Sequence, residues 1–331
     1  MATDLTSVGD DGYISAEDVR FLRRNVFADG VVSAEELDAL FRLGEKAEAG
    51  DREWPQYFAE AAADFYLREE EPNGYLTQQE FNSLKARVTR DGAKASKLEL
   101  GLLLRLMEIA ISSPEEMSGF VAEQLKRHIC EKSGGAIIDA EDVKMISRFI
   151  FAAGGDGNVA VTRAEAEFLF DISDATVEAQ NDPSWNDLFK KAISNHLMAH
   201  IGFQPMGRAA ALSHYTPDPA DGPAHEPPRL ADENKLERSG SSLWDMALNV
   251  FSAKAAHRRR VEQRHRATNE RREREAAEAE AVTPEEADWL ADRIGRDGVL
   301  HPSEKALVAY MRDELDADLP PKLKAIVERA A

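Results

Sequence analysis

The sequence predicts an all-α protein of tandem three-helix repeats packed as a helical bundle. Three observations lead there: blocks of sequence recur at fixed spacing, each block carries apolar residues at helical period, and runs long enough to make strands are nearly missing. Gly12-Tyr13-Ile14-Ser15 returns as Gly74-Tyr75-Leu76-Thr77, 62 residues on. Asp29-Gly30 returns at Asp91-Gly92, and Phe58 at Phe120, by the same shift. Twice that shift, 124, maps Ala16-Glu17-Asp18-Val19 onto Ala140-Glu141-Asp142-Val143, and Val26-Phe27-Ala28 onto Ile150-Phe151-Ala152. Asp51-x-x-Trp54-x-x-x-Phe58 matches Asp182-x-x-Trp185-x-x-x-Phe189, and a shorter fourth copy begins at Thr283 with Asp297-Gly298 following. Recurrence at one spacing is the mark of a repeat architecture.

Within the first copy, Val19, Leu22 and Val26 fall at helical spacing, with Phe27 beside them. Asp29-Gly30 stops that helix, because glycine adopts a left-handed or turn conformation at little steric cost. Leu37, Leu40, Phe41 and Leu43 stripe a second helix, Gly50-Asp51 breaks it, and Trp54, Phe58, Ala62 and Phe65 stripe a third. The later copies repeat the plan with Phe81, Leu84 and Val88, then with Val143, Ile146 and Ile150. Ser33 to Glu36, Thr77 to Glu80, Thr162 to Glu165 and Thr283 to Glu286 each fit a capping box. There the hydroxyl accepts from the N3 amide while the glutamate reaches back to the cap amide. Pro284 and Pro302 suit first helical positions, where a missing N–H costs nothing. Val31-Val32 and Ile137-Ile138 are too short for more than a bridge. A three-helix unit of roughly 60 residues is too small to be comfortably stable alone, so neighbouring units are expected to pack together.

The expected boundaries are a first repeat over 1–70, a second over 71–132, a third over 133–203 and a partial fourth over 282–331. Between the last two the composition changes. Residues 204–242 hold six of the fourteen prolines and few apolar side chains, which predicts a flexible, disordered linker. Over 243–281 an amphipathic helix carrying Leu243, Trp244, Ala247, Leu248 and Phe251 is expected to lead into a charged helix. Residues 254–274 carry nine Lys or Arg against three Glu. Trp244, Leu248 and Phe251 are candidate partner-binding residues, for a groove of this protein or of a protein partner, and intramolecular docking is the favoured form.

Composition narrows the function. The 331 residues are 43% hydrophobic and 31% charged, with 41 Lys and Arg against 61 Asp and Glu, for a formal charge of -20. That balance disfavours a bulk role in gripping nucleic acid or anionic lipid. The run from Arg258 to Arg274 is the one basic stretch that suits phosphates, but no aromatic residues interleave it for base stacking. The single Cys130, expected to be a small buried residue, excludes an internal disulfide framework. Met1 to Asp11 lacks an apolar core of signal-peptide type, and no apolar run approaches membrane-spanning length, so a soluble cytoplasmic protein is expected. Neither a phosphate-binding glycine loop nor a nucleophile elbow occurs, and the chain is expected not to be an enzyme.

The sharpest candidate site is 69–80, taken as a twelve-residue calcium loop. Glu69, Glu71 and Asn73 take positions 1, 3 and 5, Gly74 the turn at 6, the Tyr75 carbonyl 7, Leu76 the apolar position 8, Thr77 position 9 and Glu80 position 12. Calcium takes six to eight hard oxygens, which this register offers at suitable offsets between two helical patterns. Against it, glutamate at position 1 is long for the tight first turn, and Thr77 with Glu80 would be present as a helix cap without any ion. The sister loops are weaker: Phe27 stands at position 3 of the register ending at Glu36, and Arg293 at position 1 of the register ending at Glu304. Ser7 to Asp18 puts Gly9 at position 3, and after Asp156-Gly157 an insertion moves Glu165 out of register. His196 and His200 share a helix face, yet Leu197 stands where a metalloprotease helix has glutamate, and no third ligand is identifiable.

The segment from Ala28 to Leu37, Ala-Asp-Gly-Val-Val-Ser-Ala-Glu-Glu-Leu between two helices, resembles the motif of TerB-like domains. These are the tellurite-resistance B family and the similar N-terminal domain of the membrane-anchored DnaJ-type co-chaperone. Asp297 to Glu304 resembles it too, whereas Asp91-Gly92 and Asp156-Gly157 match less well, and 204–281 has no counterpart. The resemblance implies an all-helical, non-enzymatic protein tied to stress responses and membrane-proximal complexes, with acidic residues implicated in metal binding. The expectation is therefore an intracellular adaptor or stress-response scaffold with divalent-cation binding open to it, with a calcium sensor as the alternative and a nucleic-acid-associated protein as a second alternative.

Overall fold

The computed structural model describes residues 8–9, 11–25, 33–47, 49–68, 73–152, 161–200, 284–296, 299–314 and 319–330. These residues are overwhelmingly α-helical, in agreement with the all-α expectation. Among the described residues nine α-helices precede residue 201: α1 Ala16–Asn25, α2 Ala34–Lys46, α3 Glu53–Arg68, α4 Gln78–Val88, α5 Lys97–Ile109, α6 Glu116–Cys130, α7 Ala140–Ala152, α8 Arg163–Ala175 and α9 Pro183–His200. Three follow residue 283: α10 Pro284–Arg293, α11 Pro302–Glu314 and α12 Pro321–Ala330. Pro183, Pro284, Pro302 and Pro321 all open their helices, the position where a proline forfeits no hydrogen bond. The expected linker, the 243–251 helix and the charged helix lie outside the described residues.

Reciprocal caps set the helix starts. At α2, α4, α5 and α8 the hydroxyls of Ser33, Thr77, Ser96 and Thr162 accept from the N3 amide, while Glu36, Glu80, Glu99 and Glu165 accept from the cap amide. The box at Ser96 was not among those expected. Two further helices use aspartate at N3: Ser15 N donates to Asp18 at 2.9 Å, and Asp139 N to Asp142 at 2.8 Å. The cap of Thr283 lies outside the described residues.

Among the described residues, paired strands and bridges are confined to short ties between helix starts. Strands β1 (Tyr13–Ile14) and β2 (Ala49–Gly50) pair in parallel, and Tyr75 bridges Ser112 in the same sense. The Ile14 carbonyl accepts from Asp51 N, as the Ile138 carbonyl accepts from Asp182 N, both at 2.8 Å. Chain crowding at the first tie calls for glycine: a Cβ on Gly50 would stand 2.9 Å from the Ile14 carbonyl oxygen and 3.0 Å from the Trp54 ring. The pair at 13–14 and 49–50 falls where the sequence offered no strand signal, because backbone geometry at the helix starts imposes it.

One continuous apolar core runs through the bundle. Trp54 is 2% exposed and Trp185 1%. Trp54 meets Phe58 at 5.8 Å between ring centres, and Phe58 meets Phe41 at 5.2 Å edge-on. Trp185 meets Phe189 at 5.7 Å, and Phe189 meets Phe170 at 5.1 Å. Each trio joins the second and third helices of its segment, and such edge-on aromatic contacts add to the area that they bury. The most extensive contacts between helices further apart in sequence are α3 with α5 and α9 with α11; α6 also packs on α8 and α5 on α7. Among the described residues no helix is long and apolar enough to cross a membrane.

Replacing either tryptophan by alanine empties a volume that the neighbouring rings cannot refill. Trp54→Ala and Trp185→Ala are each expected to lower unfolding free energy by about 3–5 kcal/mol. Urea denaturation should show this as a lower midpoint, and a loss under ~1 kcal/mol for either would contradict the packing described.

Candidate functional site

The corner between α3 and α4 holds the candidate calcium loop. Glu69 and Glu71 lie outside the described residues. Asn73 is exposed, and Gly74 has φ +88°, the left-handed conformation that the turn position of the loop requires. The Gly74 amide donates to the Leu67 carbonyl at 2.8 Å, folding the corner back on the end of α3. Leu76 is buried in the core, and the half-buried Tyr75 forms the bridge to Ser112. Glu80 is buried, with one carboxylate oxygen 2.6 Å from the Thr77 amide that donates to it. The structure thus brings Asn73, Tyr75, Thr77 and Glu80 to one corner, with Glu80 already engaged at the helix start.

The other acidic corners are engaged in the same way. Glu36 accepts from Ser33 N at 2.8 Å, and Asp18 accepts from both the amide and the hydroxyl of Ser15. Glu304 uses both oxygens, taking Gly295 N and His301 N at 2.9 Å each and so tying the end of α10 to the start of α11. Among the described residues there is no group of three or more His, Cys, Asp or Glu arranged to hold a metal ion.

His196 is buried, and its Nδ1 donates to the Val161 carbonyl at 2.7 Å while its ring stands edge-on to Trp289 at 5.6 Å. That is a core histidine tying α9 to α10; the His200 side chain lies outside the described residues. Cys130 is half-buried rather than buried, because it sits in the last turn of α6, and burial pushes its thiol above the ordinary range. Trp244, Leu248, Phe251 and the Arg258 to Arg274 run lie outside the described residues.

Two polar clusters escaped sequence reasoning. At the α6–α7 corner Asp142 is fully buried and accepts from Lys132 Nζ and from the Asp139 amide, with His128 Nε2 3.5 Å from its other oxygen. Burial pushes the Asp142 carboxyl up, but the nearby His128 ring and the hydrogen bond from Lys132 outweigh it and leave the group below its usual range. Its neighbour Asp139, 2.8 Å from the same ammonium, is held at about 2. The second cluster surrounds Arg293 of α10, which is 6% exposed. Its guanidinium reaches Glu167, Asp171 and Asp174 of α8 at 3.0, 2.6 and 3.2 Å. The spacing of those acids on one face of α8 is a sequence signal, but their partner more than a hundred residues away is not.

Comparison with protein-family models, characterised proteins and solved structures finds no match. What the described geometry can do chemically is therefore read from the side chains alone: the carboxylates of Glu36, Glu80, Asp142, Glu165 and Glu304 fasten helix starts.

Glu165 carries a measurable consequence of that role. Burial pushes its carboxyl up to about 7, against the opposing effect of its hydrogen bonds with Thr162. The folded chain keeps this proton where the unfolded chain has released it, so the contribution of Glu165 to stability is full below about pH 4.5 and is lost as pH rises to about 7. Glu165→Gln is expected to remove a decline of about 3 kcal/mol, visible as a flatter dependence of the urea midpoint on pH between 4.5 and 7. A slope identical to wild type would contradict the assignment.

Proposed function

We propose that this protein is a non-enzymatic, TerB-like helical scaffold of four three-helix segments, acting as an adaptor through the insertion at 204–281. The observation that carries this reading is the use of carboxylates: Glu36, Glu80, Glu99, Glu165 and Glu304 each accept backbone amides at a helix start. Residues so engaged hold a frame and are poorly placed to move protons for a substrate. A second support is the return of the chain after the insertion. Helices α10 and α11 pack on α8 and α9, so both ends of the 201–283 segment are anchored on one body. An excursion fixed at both ends suits the display of Trp244, Leu248 and Phe251 to a protein partner. The adaptor reading predicts that simultaneous alanine substitution of these three residues abolishes capture of partners from the source cell's extract. An unchanged set of captured proteins would count against it.

A calcium sensor is the second reading, favoured by Gly74 at φ +88° and by buried Leu76, which suit positions 6 and 8 of the loop. Calorimetric titration with calcium separates the two. Absence of binding heat at up to millimolar calcium in wild type removes the sensor reading and leaves the scaffold. The sensor reading expects heat that Glu80→Gln removes, a substitution that keeps an acceptor for the Thr77 amide.

A further inference from the structure

Helices α4 and α10 occupy corresponding places. Arg87 stands ten residues after Thr77, and Arg293 ten after Thr283. Arg87 lies over the Phe41 ring of α2 at 5.9 Å and pairs with Asp38; Arg293 lies over the Phe170 ring of α8 at 5.2 Å and pairs with Glu167. Phe41 and Phe170 each stand eight residues after their caps, Ser33 and Thr162, and Asp38 and Glu167 each stand five after. Helix α3 then packs on α5, as α9 packs on α11. Leu102, Leu103 and Leu106 of α5 match Leu307, Val308 and Met311 of α11, all buried. So α1–α6 and α7–α12 are two versions of one six-helix arrangement.

The two versions differ most in length at one connection. Residues 69–77 join α3 to α4, whereas residues 201–283 join α9 to α10, a segment about ninefold longer. Loop-closure entropy grows as three halves of the logarithm of length. On length alone, the longer connection lowers the effective concentration of α10 at its docking face by about thirtyfold.

At that same junction α10 carries contacts that α4 lacks. Trp289 stands where α4 has Ser83. Its ring meets Phe170 at 6.2 Å and His196 at 5.6 Å, lies under the Arg163 guanidinium at 4.8 Å, and donates its N–H to Glu167. Asp171, which Arg293 reaches, stands where α2 has Arg42, so the second carboxylate is also an addition. Ser173 and Ser303 share a further hydrogen bond of 2.8 Å.

We propose that the face formed by α8 and α9 is a helix-binding surface selecting a tryptophan and an arginine four residues apart, and that α10 is its tethered ligand. Trp289 fills the aromatic corner between Phe170 and His196, and Arg293 lies along the acidic row of α8. Together they form a clasp that keeps residues 284–330 seated despite the length of the 201–283 connection. This assignment concerns how the C-terminal helices are held, and it stands whether the protein is a scaffold or a calcium sensor.

Amide hydrogen exchange on the full chain tests it. Trp289→Ala and Arg293→Ala should each speed exchange of the α11 and α12 amides at least tenfold while leaving α1–α5 unchanged. In a chain whose 201–283 segment is replaced by a copy of 69–77, the same substitutions should open α11 and α12 about thirtyfold less often. Unchanged exchange in α11 and α12, or the same opening with the short and the long connection, overturns the clasp. Should the shortened chain lose protection throughout, the full chain is cleaved instead at a protease site introduced within 204–242, and the products are run on size exclusion at micromolar concentration. Retention of the C-terminal piece by wild type and its release by Arg293→Ala support the proposal. Release from wild type, or retention by the variant, refutes it.

Discussion

Buried helix starts govern this structure. An α-helix leaves its first four amides without partners inside the helix, and a bundle of helices only three to five turns long places many such ends against the core. Each must be satisfied from a side chain or another backbone, since an unpartnered buried amide costs about as much as a lost hydrogen bond. Ser33 with Glu36, Thr77 with Glu80 and Thr162 with Glu165 meet that demand reciprocally, and Ser96 with Glu99 forms the same box at an exposed start. Fixing where a helix begins also fixes which of its residues face inward. The position of Leu37, Leu40 and Phe41 in the core therefore follows from the cap at Ser33.

The same demand explains how so acidic a chain folds without repelling itself apart. Many of its carboxylates sit at helix N-termini, where the aligned peptide dipoles favour negative charge. Others pair between helices, as Glu108 does with Arg148 at 2.7 Å and Asp171 with Lys126 at 2.9 Å. Identical sequence roles nevertheless lead to different electrostatics. Glu165 is buried so deeply that its carboxyl is pushed up to about 7. Asp142, also shielded from solvent, is kept below its ordinary range because Lys132 and His128 face it. Whether a capping carboxylate carries a proton thus depends on what the neighbouring helix brings to it.

Aromatic packing distributes the remaining work. The trios of Phe41, Phe58 and Trp54, and of Phe170, Phe189 and Trp185, join second and third helices with nearly the same ring separations. Arginines laid over Phe41 and Phe170 then attach the next helix along, combining ring contact with a carboxylate partner. At α10 the addition of Trp289 makes that attachment larger, at the junction where the chain has the longest way to return.

The helix class, the apolar stripes, and the boxes at Ser33, Thr77 and Thr162 were written in the sequence, because they depend on residues within one or two helical turns of each other. Ser96 with Glu99 carried the same local signature but went unread beside the Asp-Gly corner. Part of the candidate loop was legible too: Gly74 and Leu76 have the conformation and burial that their spacing implied. What spacing left open was the use of Glu80, which serves as a cap with or without an ion. Only the tertiary structure decided the partners of Arg293 and Lys132, the burial of His196, and the parallel tie between Tyr13–Ile14 and Ala49–Gly50. Those contacts join segments from 7 to more than 120 residues apart, as in Lys132 with Asp139 and Arg293 with Asp171. Periodicity fixes which face of a helix is apolar, but the packing of one helix on another settles which charge meets which.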